Sequence, residues 1–338
     1  MGKTAAEHEI FPSPAPLAII CAPGGVSMAL PAFIAGGGET AARATLDFFT
    51  ARIPNRGTRK VYGRAVFRFC AWCEARGVSL ETLAPATVAA YLEELQSSVG
   101  LRTIKLTASA IRHWLDYLTE RGALANNPAR SVRTPRLVVD EGKTPVLDRE
   151  SARVLFRSLS EGEPGDVVRL RDRAICGVML FGWLRVGAVV KMTVRDFENE
   201  GAEAWLFALE KGGKERRIPC HRDAREYLHA YLEAAGLDPK SRAPLFQSAP
   251  RTSRTLSGRA MTTGSILEMV KRRCKAVGLP SSLCNHSFRA GAITMHQESG
   301  GRLEHAQELA GHASPTTTRL YVRTQKTIQR REVDRVQL

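Results

Sequence analysis

The chain has 338 residues, of which 43% are hydrophobic and 25% are charged, an ordinary globular composition with room for two domains. Its seven cysteines are odd in number and scattered, which argues against a disulfide framework and favours reduced thiols in the cytoplasm. Lys and Arg number 49 against 34 Asp and Glu, and the resulting net charge of +15 predicts a polyanionic partner, most often nucleic acid. A generically basic protein, such as a ribosome-associated factor, is the alternative.

The N-terminal residues 1–38 are expected to form a flexible arm. Residues 14–35 are apolar enough to suggest a membrane helix, but prolines and glycines interrupt the run. Acidic residues near the N-terminus also fit a secretory signal badly. The glycine run Gly36–Gly38 ends the arm, for which no membrane role is predicted.

Residues 39–129 predict a compact bundle of four short helices, because apolar residues recur at helical spacing and glycines close the segments. Residues 130–145 lack this periodicity and contain prolines, a glycine and basic residues, so they are expected to be a linker. The predicted helices are Thr40–Ala51, Arg59–Arg76, Thr87–Leu95 and Leu101–Arg121.

Basic side chains at the helix starts and on the polar faces of this bundle are expected to contact DNA phosphates. For any one of them a solvated helix face is the simpler interpretation, but the charge of the whole chain favours DNA for the set. Its members are Arg59, Lys60, Arg64, Arg102, Lys105 and Arg112.

Residues 146–325 predict a second domain of helices with a β-hairpin. The hairpin turns at Gly212–Gly213, and Lys211 and Lys214 flank its tip. Hairpin lysines are usually solvated, although such a tip can also reach a nucleic-acid backbone. The expected helices are Asp148–Ser160, Val168–Val190, His221–Ala235 and Thr262–Val277. Further expected DNA contacts are Lys214, Arg216, Lys271, Arg272 and Arg273.

Arg185 lies inside the apolar stretch Val168–Val190, where an arginine without a carboxylate partner is costly. The next acidic residue downstream is Asp196. Arg185 therefore either caps the helix C-terminus, pairs with a remote acid, or binds an anion with its planar guanidinium.

The last fifth of the chain contains three polar clusters. The first is His286-Ser287-Phe288-Arg289, the second is Gly311-His312, and the third is Tyr321. His312 follows the first histidine by 26 residues and precedes the tyrosine by nine. Two imidazoles, a guanidinium and a phenol at these intervals can converge on one phosphate if helices fold them together.

In this order, the motifs of residues 40–325 resemble the tyrosine recombinases, the phage-integrase and Xer-type family. The resemblance implies a mainly α protein with a small β-sheet, composed of a helical, SAM-like core-binding domain and a mixed α/β catalytic domain. The motifs are Leu184-Arg185-Val186-Gly187, Glu210-Lys211-Gly212-Gly213-Lys214-Glu215-Arg216, His286-Ser287-Phe288-Arg289, and Leu309-Ala310-Gly311-His312-Ala313-Ser314 with Tyr321.

The resemblance also implies a role for each site residue. Tyr321 is the nucleophile that forms a 3′-phosphotyrosine and releases a 5′-hydroxyl. The two arginines, Arg185 and Arg289, bind the non-bridging oxygens of the phosphate. Lys211 is the general acid for the leaving oxygen, while His286 assists proton transfer at the tyrosine and His312 hydrogen-bonds the phosphate.

The residue chemistry is compatible with catalysis without a metal, ATP or any other cofactor. A phenol of pKa about 10 needs a base and positive surroundings to act as a nucleophile. No close acidic pair stands beside the motifs, so the arginines are expected to stabilise the developing charge. Cys70 and Cys73 form a lone CxxC pair, which is interpreted as packing because a zinc site needs four ligands.

Two positions leave the site open to more than one interpretation. The family often has an acidic residue three positions after the first arginine, where this chain has Ala188. Either another acid orients Arg185 or activity is lower. Lys214 is an alternative to Lys211 as the acid, because hairpin registers slip.

The predicted function is site-specific DNA recombination for integration, excision or resolution of a mobile element or replicon. The alternatives are a topoisomerase IB-like or telomere-resolvase-like strand transferase, and a non-catalytic DNA-binding regulator.

The expected partner is double-stranded DNA, bound by a homotetramer on two sites, with no accessory protein specified. The expected location is the cytoplasm, at the nucleoid. Residues 322–338, of which 326–338 are assigned to a C-terminal tail, either form a helix that docks on a neighbouring protomer or fray.

Overall fold

The computed structural model describes residues 18–21, 27–135, 144–201, 203–210, 212–250, 255–311 and 318. They form a mainly helical protein with a three-stranded antiparallel sheet and a short separate hairpin, which confirms the predicted fold class. The chain divides into two compact units between residues 138 and 139. Across these described ranges, no helix combines the length and the apolar character that crossing a membrane requires.

The first unit is a helical bundle around an aromatic core, and all four helices expected there are present. Trp114 is fully buried, and its indole N–H donates to Oγ1 of Thr45 at 3.0 Å, so the ring brings no unsatisfied donor into the core. The elements are β1 (Ala18–Cys21), β2 (Ser27–Leu30), α1 (Ala32–Gly36), α2 (Gly38–Asp47) with a π-helical turn at Phe48–Arg52, α3 (Arg56–Glu74), α4 (Pro85–Gln96) and α5 (Leu101–Glu120).

The predicted arm ends earlier than residue 38, because helix α1 belongs to this core. Phe33 and Ile34 are buried, and the backbone N–H of Phe33 donates to the Glu74 carboxylate at 2.6 Å. The apolar character of this segment is therefore that of a packed helix, and the glycine run joins α1 to α2. Residues 1–17 and 22–26 of the arm lie outside the described residues.

The second unit packs its helices and its sheet around the apolar helix α7. Strand β4 is the middle strand, and it pairs antiparallel with β3 and β5 in a register that places Leu206 opposite Ile218. The elements are α6 (Arg149–Ser160), α7 (Val167–Phe181), α8 (Val186–Val189), a 3₁₀ turn at Val194–Asp196, β3 (Phe197–Glu200), β4 (Glu203–Leu209), β5 (Glu215–Pro219), α9 (Arg222–Ala235), α10 (Thr263–Ala276), α11 (Asn285–Glu298) and α12 (Leu303–Ala310).

The prediction of a single helix over Val168–Val190 was wrong. Helix α7 stops at Phe181, and the chain reverses before α8 begins. A Cβ on Gly182 would lie 2.7 Å from the carbonyl oxygen of Val178, so a larger residue does not fit at this helix end without a shift. Trp183 then adopts a left-handed conformation with φ of 55°, which is rare for a bulky side chain. The apolar run is continuous because both helices and the reversal are buried.

Candidate active site

Arg185 lies at the N-cap position of α8, directly after the helix reversal. Its side chain is one-third exposed, and its Nη1 atom donates to Oε2 of Glu210 at 2.5 Å. Of the three sequence interpretations, pairing with a remote acid is therefore observed. Asp196, the next acid in sequence, instead accepts from the backbone N–H and the hydroxyl of Thr193. The exposed part of the guanidinium remains accessible to an anion.

Arg289 lies in the first turns of α11 and is only 2% exposed. Its Nη1 atom donates to the backbone carbonyl of Trp183, the residue with the left-handed backbone. The segment between α7 and α8 thus contacts Arg289 through the carbonyl of Trp183. The same backbone segment therefore carries Arg185, two residues after Trp183, and accepts a hydrogen bond from the Arg289 guanidinium.

His286 precedes Arg289 by one helical turn on α11, so the two side chains share a face. His286 is exposed, yet partial desolvation by the surrounding protein lowers its pKa below the usual 6.5. The positive charges of Arg289 and Arg185 lower the pKa further. The neutral imidazole that these two charges favour can accept a proton.

The hairpin between β4 and β5 has the predicted Gly-Gly turn. Gly212 and Gly213 have φ values of 83° and 80°, a region in which residues with a Cβ are strained. The backbone N–H of Glu210 donates to the carbonyl of Lys214 at 2.9 Å and closes the loop. Lys214 itself is exposed.

Glu210 is a site residue that the sequence reasoning did not identify. Its side chain is 4% exposed, with Oε2 bonded to Arg185 and Oε1 bonded to Nη1 of Arg216 at 2.9 Å. A carboxylate can be buried here because two guanidinium groups neutralise it. One signal existed in the sequence, since Glu210 stands directly before the motif lysine Lys211.

Arg216 was predicted to contact DNA, and the structure contradicts this. Its side chain is 10% exposed, and beyond Glu210 it donates to the carbonyl of Leu309 at 2.8 Å. That carbonyl belongs to the C-terminal end of α12, where cations are favourable because of the helix dipole. A Cβ on Gly311 would lie 3.2 Å from Nη1 of Arg216, so the arginine packs closely against the end of this helix.

Three of the predicted site residues, Lys211, His312 and Tyr321, lie outside the described residues. Two of them are direct neighbours of described positions, since Lys211 follows Glu210 and His312 follows Gly311. The structure therefore brings together Arg185, His286 and Arg289, and it joins to them the segments that lead into Lys211 and His312.

The basic residues predicted to contact DNA in the first unit fall into two groups. Arg59 donates to the carbonyl of Ile53 at 3.0 Å, and Arg112 donates to the carbonyls of Ala129 and Val132 at 3.3 and 3.0 Å. These two guanidinium groups have structural partners and cap backbone carbonyls. The others are exposed or half-buried along α3 and α5, namely Lys60, Arg64, Arg102 and Lys105.

The basic run of α10 is also partly structural, because it borders a buried carboxylate. Asp172 is 0% exposed, and Arg273 donates to it at 2.9 Å, which makes Arg273 an ion-pair partner rather than a free DNA contact. Arg272 stays largely exposed with its nearest nitrogen 3.6 Å from the same carboxylate. Lys271 donates to the carbonyl of Ser281.

The CxxC pair is buried in the core of the first unit, as the packing interpretation predicts. Cys70 and Cys73 are both 0% exposed, and burial raises the pKa of the Cys73 thiol to about 12. A thiol that resists ionisation is a poor zinc ligand, because the metal binds the thiolate.

Comparisons with known proteins agree with this geometry. The model of the phage integrase family matches residues 146–327, and the model of the N-terminal SAM-like domain of phage integrases matches residues 50–122. Tyrosine recombinase XerC of Serratia marcescens is 29% identical over 266 residues, covering 78% of this chain and 83% of that protein.

Two solved structures share the fold. The XerH site-specific recombinase in a post-cleavage complex with its difH substrate has a TM-score of 0.67 and 20% identity, covering 82% of this chain and 79% of its own. The lambda integrase tetramer bound to a Holliday junction has a TM-score of 0.60 and 19% identity, covering 83% and 77%. The predicted resemblance is thereby confirmed, and the chain belongs to the phage integrase family of tyrosine recombinases.

Proposed function

We propose that this tyrosine recombinase cleaves and rejoins DNA at specific sites with Tyr321 as its nucleophile. The observation that carries the proposal is that Arg289, one helical turn after His286 on α11, donates a hydrogen bond to the backbone segment that carries Arg185. Two permanent cations next to a neutral base form an environment suited to a phosphodiester that is attacked by a phenol. A pure DNA-binding regulator has no need of this arrangement.

In the proposed reaction, the Tyr321 oxygen attacks the scissile phosphorus while the bond from phosphorus to the 5′-oxygen breaks. His286 accepts the phenolic proton, and Lys211 donates a proton to the departing 5′-oxygen. The arginines, Arg185 and Arg289, stabilise the charge on the non-bridging oxygens, and His312 adds a hydrogen bond. The product is a 3′-phosphotyrosine, and attack by a 5′-hydroxyl of another strand reverses the step. Because the phosphotyrosine keeps the energy of the broken phosphodiester bond, the cycle requires no ATP.

We infer that double-stranded DNA is the partner and that four protomers act on two sites. Support comes from the net charge of +15, from the exposed cations of α3 and α5, and from the lambda integrase tetramer on a Holliday junction. We assign the helical bundle from α1 to residue 129 to core binding and residues 146–325 to catalysis, joined by a linker at 130–145. We place this activity on the nucleoid in the cytoplasm, where it would integrate, excise or resolve a mobile element or replicon. A DNA substrate and six described cysteines without a disulfide fit this location.

The test is covalent trapping on DNA. Sites are first selected by binding from random and genomic fragments, and a nicked suicide version then releases a short product so that cleavage cannot reverse. The wild-type chain is expected to form a protein–DNA adduct that resists denaturant, and Tyr321→Phe is expected to form none. An adduct with Tyr321→Phe contradicts the nucleophile, while relaxation of a plasmid without a selected site indicates a topoisomerase.

A further inference from the structure

The Glu210 carboxylate connects parts of the second unit that are distant in sequence. Its two oxygens bond the guanidinium groups of Arg185 and Arg216 at 2.5 and 2.9 Å, and its side chain is almost completely buried. Arg216 in turn donates to the carbonyl of Leu309 at the end of α12. A continuous chain of charged hydrogen bonds therefore runs from the start of α8, through the hairpin, to the last turn of α12.

The bond to Glu210 leaves Arg185 free to act on a phosphate. It engages the Nη1 atom, while one-third of the side chain remains exposed. Among the described residues, Glu210 is the side chain that hydrogen-bonds this guanidinium. An arginine held at one nitrogen by a buried carboxylate loses rotational freedom before the substrate arrives, which is the physical basis of preorganisation.

Ala188 stands at the position where the family often has an acidic residue. It lies three residues after Arg185 in α8, is 3% exposed, and presents a methyl group that cannot accept a hydrogen bond. The short helix that carries Arg185 therefore has no acid one turn away to orient the guanidinium. The hairpin contributes that carboxylate from a residue 25 positions later in the chain.

Glu210 also belongs to the backbone of the hairpin loop. Its N–H donates to the carbonyl of Lys214 at 2.9 Å, and its carbonyl accepts from the N–H of Gly213 at 3.3 Å. Lys211 is the next residue in the chain. A single residue thus holds Arg185 through its side chain and begins, through its backbone, the loop that contains Lys211.

We propose that Glu210 is a positioning residue that orients Arg185 from the hairpin, in place of an acid at position 188. Arg216 supports it by anchoring the same carboxylate to the end of α12, next to Gly311. The proposal rests on the function proposed above, because it assigns Arg185 to the scissile phosphate. It predicts that the effect of Glu210 on cleavage is transmitted by Arg185.

The experiment is a double-mutant cycle measured by single-turnover cleavage of the suicide substrate. Glu210→Gln keeps the shape of the side chain and removes its charge, and it is expected to slow adduct formation about 10- to 100-fold. Arg185→Ala is expected to be slower still. The double variant Arg185→Ala/Glu210→Gln is expected to match Arg185→Ala within about threefold, because the guanidinium through which Glu210 acts on cleavage is already absent.

Two further measurements separate positioning from a loss of folding. Glu215→Gln is the matched control, since Glu215 is an exposed acid on the same hairpin, and its cleavage rate is expected to stay within about twofold of wild type. If Glu210→Gln fails to fold in a thermal melt, Glu210→Asp retains the charge but retracts it from Arg185, and it is expected to cleave slowly while binding the site normally.

The outcomes are distinguishable. The proposal is overturned if the rate losses of the two single variants multiply in the double variant. It is also overturned if Glu210→Gln cleaves at the wild-type rate. If Glu210→Gln does not fold, the same result with a folded Glu210→Asp variant overturns it. In either case the proposed function stands if Tyr321→Phe abolishes the adduct. If Tyr321→Phe still forms the adduct, the proposed function fails first.

Discussion

The carbonyl oxygen of Trp183 accepts a hydrogen bond from the buried guanidinium of Arg289. Trp183 has a left-handed backbone, its ring is nearly buried, and it packs edge-on against His296 of α11 with ring centres 5.5 Å apart. An unfavourable conformation in a bulky residue persists only when the surrounding packing compensates for it. The helix reversal at residues 182–185 is therefore part of the site.

Changing Gly182 to Ala is expected to disturb this reversal. The added Cβ would lie 2.7 Å from the Val178 carbonyl and 3.2 Å from the Leu206 side chain, so the backbone must shift. We expect a loss of about 1–3 kcal/mol in the free energy of unfolding, measured by denaturant titration. Adduct formation is expected to fall more than stability alone explains, because Arg185 moves with the segment.

Gly187→Ala is the matched control for this stability change. Gly187 lies in α8, and a Cβ there meets no atom within 4 Å. The free energy of unfolding of the Gly187→Ala variant is expected to stay within about 0.5 kcal/mol of the wild-type value. Equal destabilisation by both substitutions would contradict a specific requirement at Gly182.

Cleavage is expected to depend on the protonation state of His286. Partial desolvation and the charges of Arg289 and Arg185 lower its pKa below 6.5, so the neutral base dominates at pH 7 and is lost only as the pH falls through that lowered value. The same shift makes the protein less stable in acid, since the unfolded chain binds this proton more readily than the folded chain does.

Replacing Arg185 with Gln tests the electrostatic cause. The loss of one neighbouring positive charge is expected to raise the pKa of His286 towards 6.5, which an NMR titration of the imidazole C–H signals can follow. An unchanged or lower value in this variant would show that the guanidinium does not act on the ring.

Lys211 and Lys214 are expected to differ strongly as proton donors. Lys211→Ala is predicted to reduce single-turnover cleavage about 10²- to 10⁴-fold, the range of general acid catalysis, while Lys214→Ala changes it by less than about tenfold. A substrate with sulfur in place of the leaving 5′-oxygen needs no proton from an acid. This substrate is expected to restore cleavage by Lys211→Ala. If it restores cleavage by Lys214→Ala instead, Lys214 is the general acid.

Two arginines of the first unit are expected to separate DNA binding from stability. Arg64 is exposed, so Arg64→Ala should weaken DNA binding and lower the slope of log affinity against log salt by about 0.9. Arg112 donates to two backbone carbonyls, and Arg112→Ala is expected to cost about 1–2 kcal/mol of unfolding free energy. Its salt slope is expected to match the wild type, and a reduced slope would identify Arg112 as a phosphate contact.

The sequence alone determined most of the elements, the family and the candidate reaction, because these depend on local patterns, whereas it missed α1 and the break between α7 and α8. Asp148 accepts from the backbone N–H of Ser151 at the start of α6, the two glycines form the hairpin turn, and the spacing from His286 to Arg289 is one helical turn. Caps, left-handed turns and helical spacing involve residues that are close in the chain, so they are readable from the order of residue types.

Tertiary structure alone decided the partners of the cations. Arg185 bonds Glu210, Arg216 bonds the end of α12 rather than DNA, and Arg273 neutralises a buried aspartate. Each of these partners is 25 to about 100 residues away in the chain, and each pairing forms because a charge removed from water needs an opposite charge or a carbonyl beside it. Partners close in sequence also contribute, since Arg216 bonds Glu210 and Asp172 pairs with Arg171. No local pattern records these long-range partners, so packing decides which arginines hold the fold and which keep an exposed side chain.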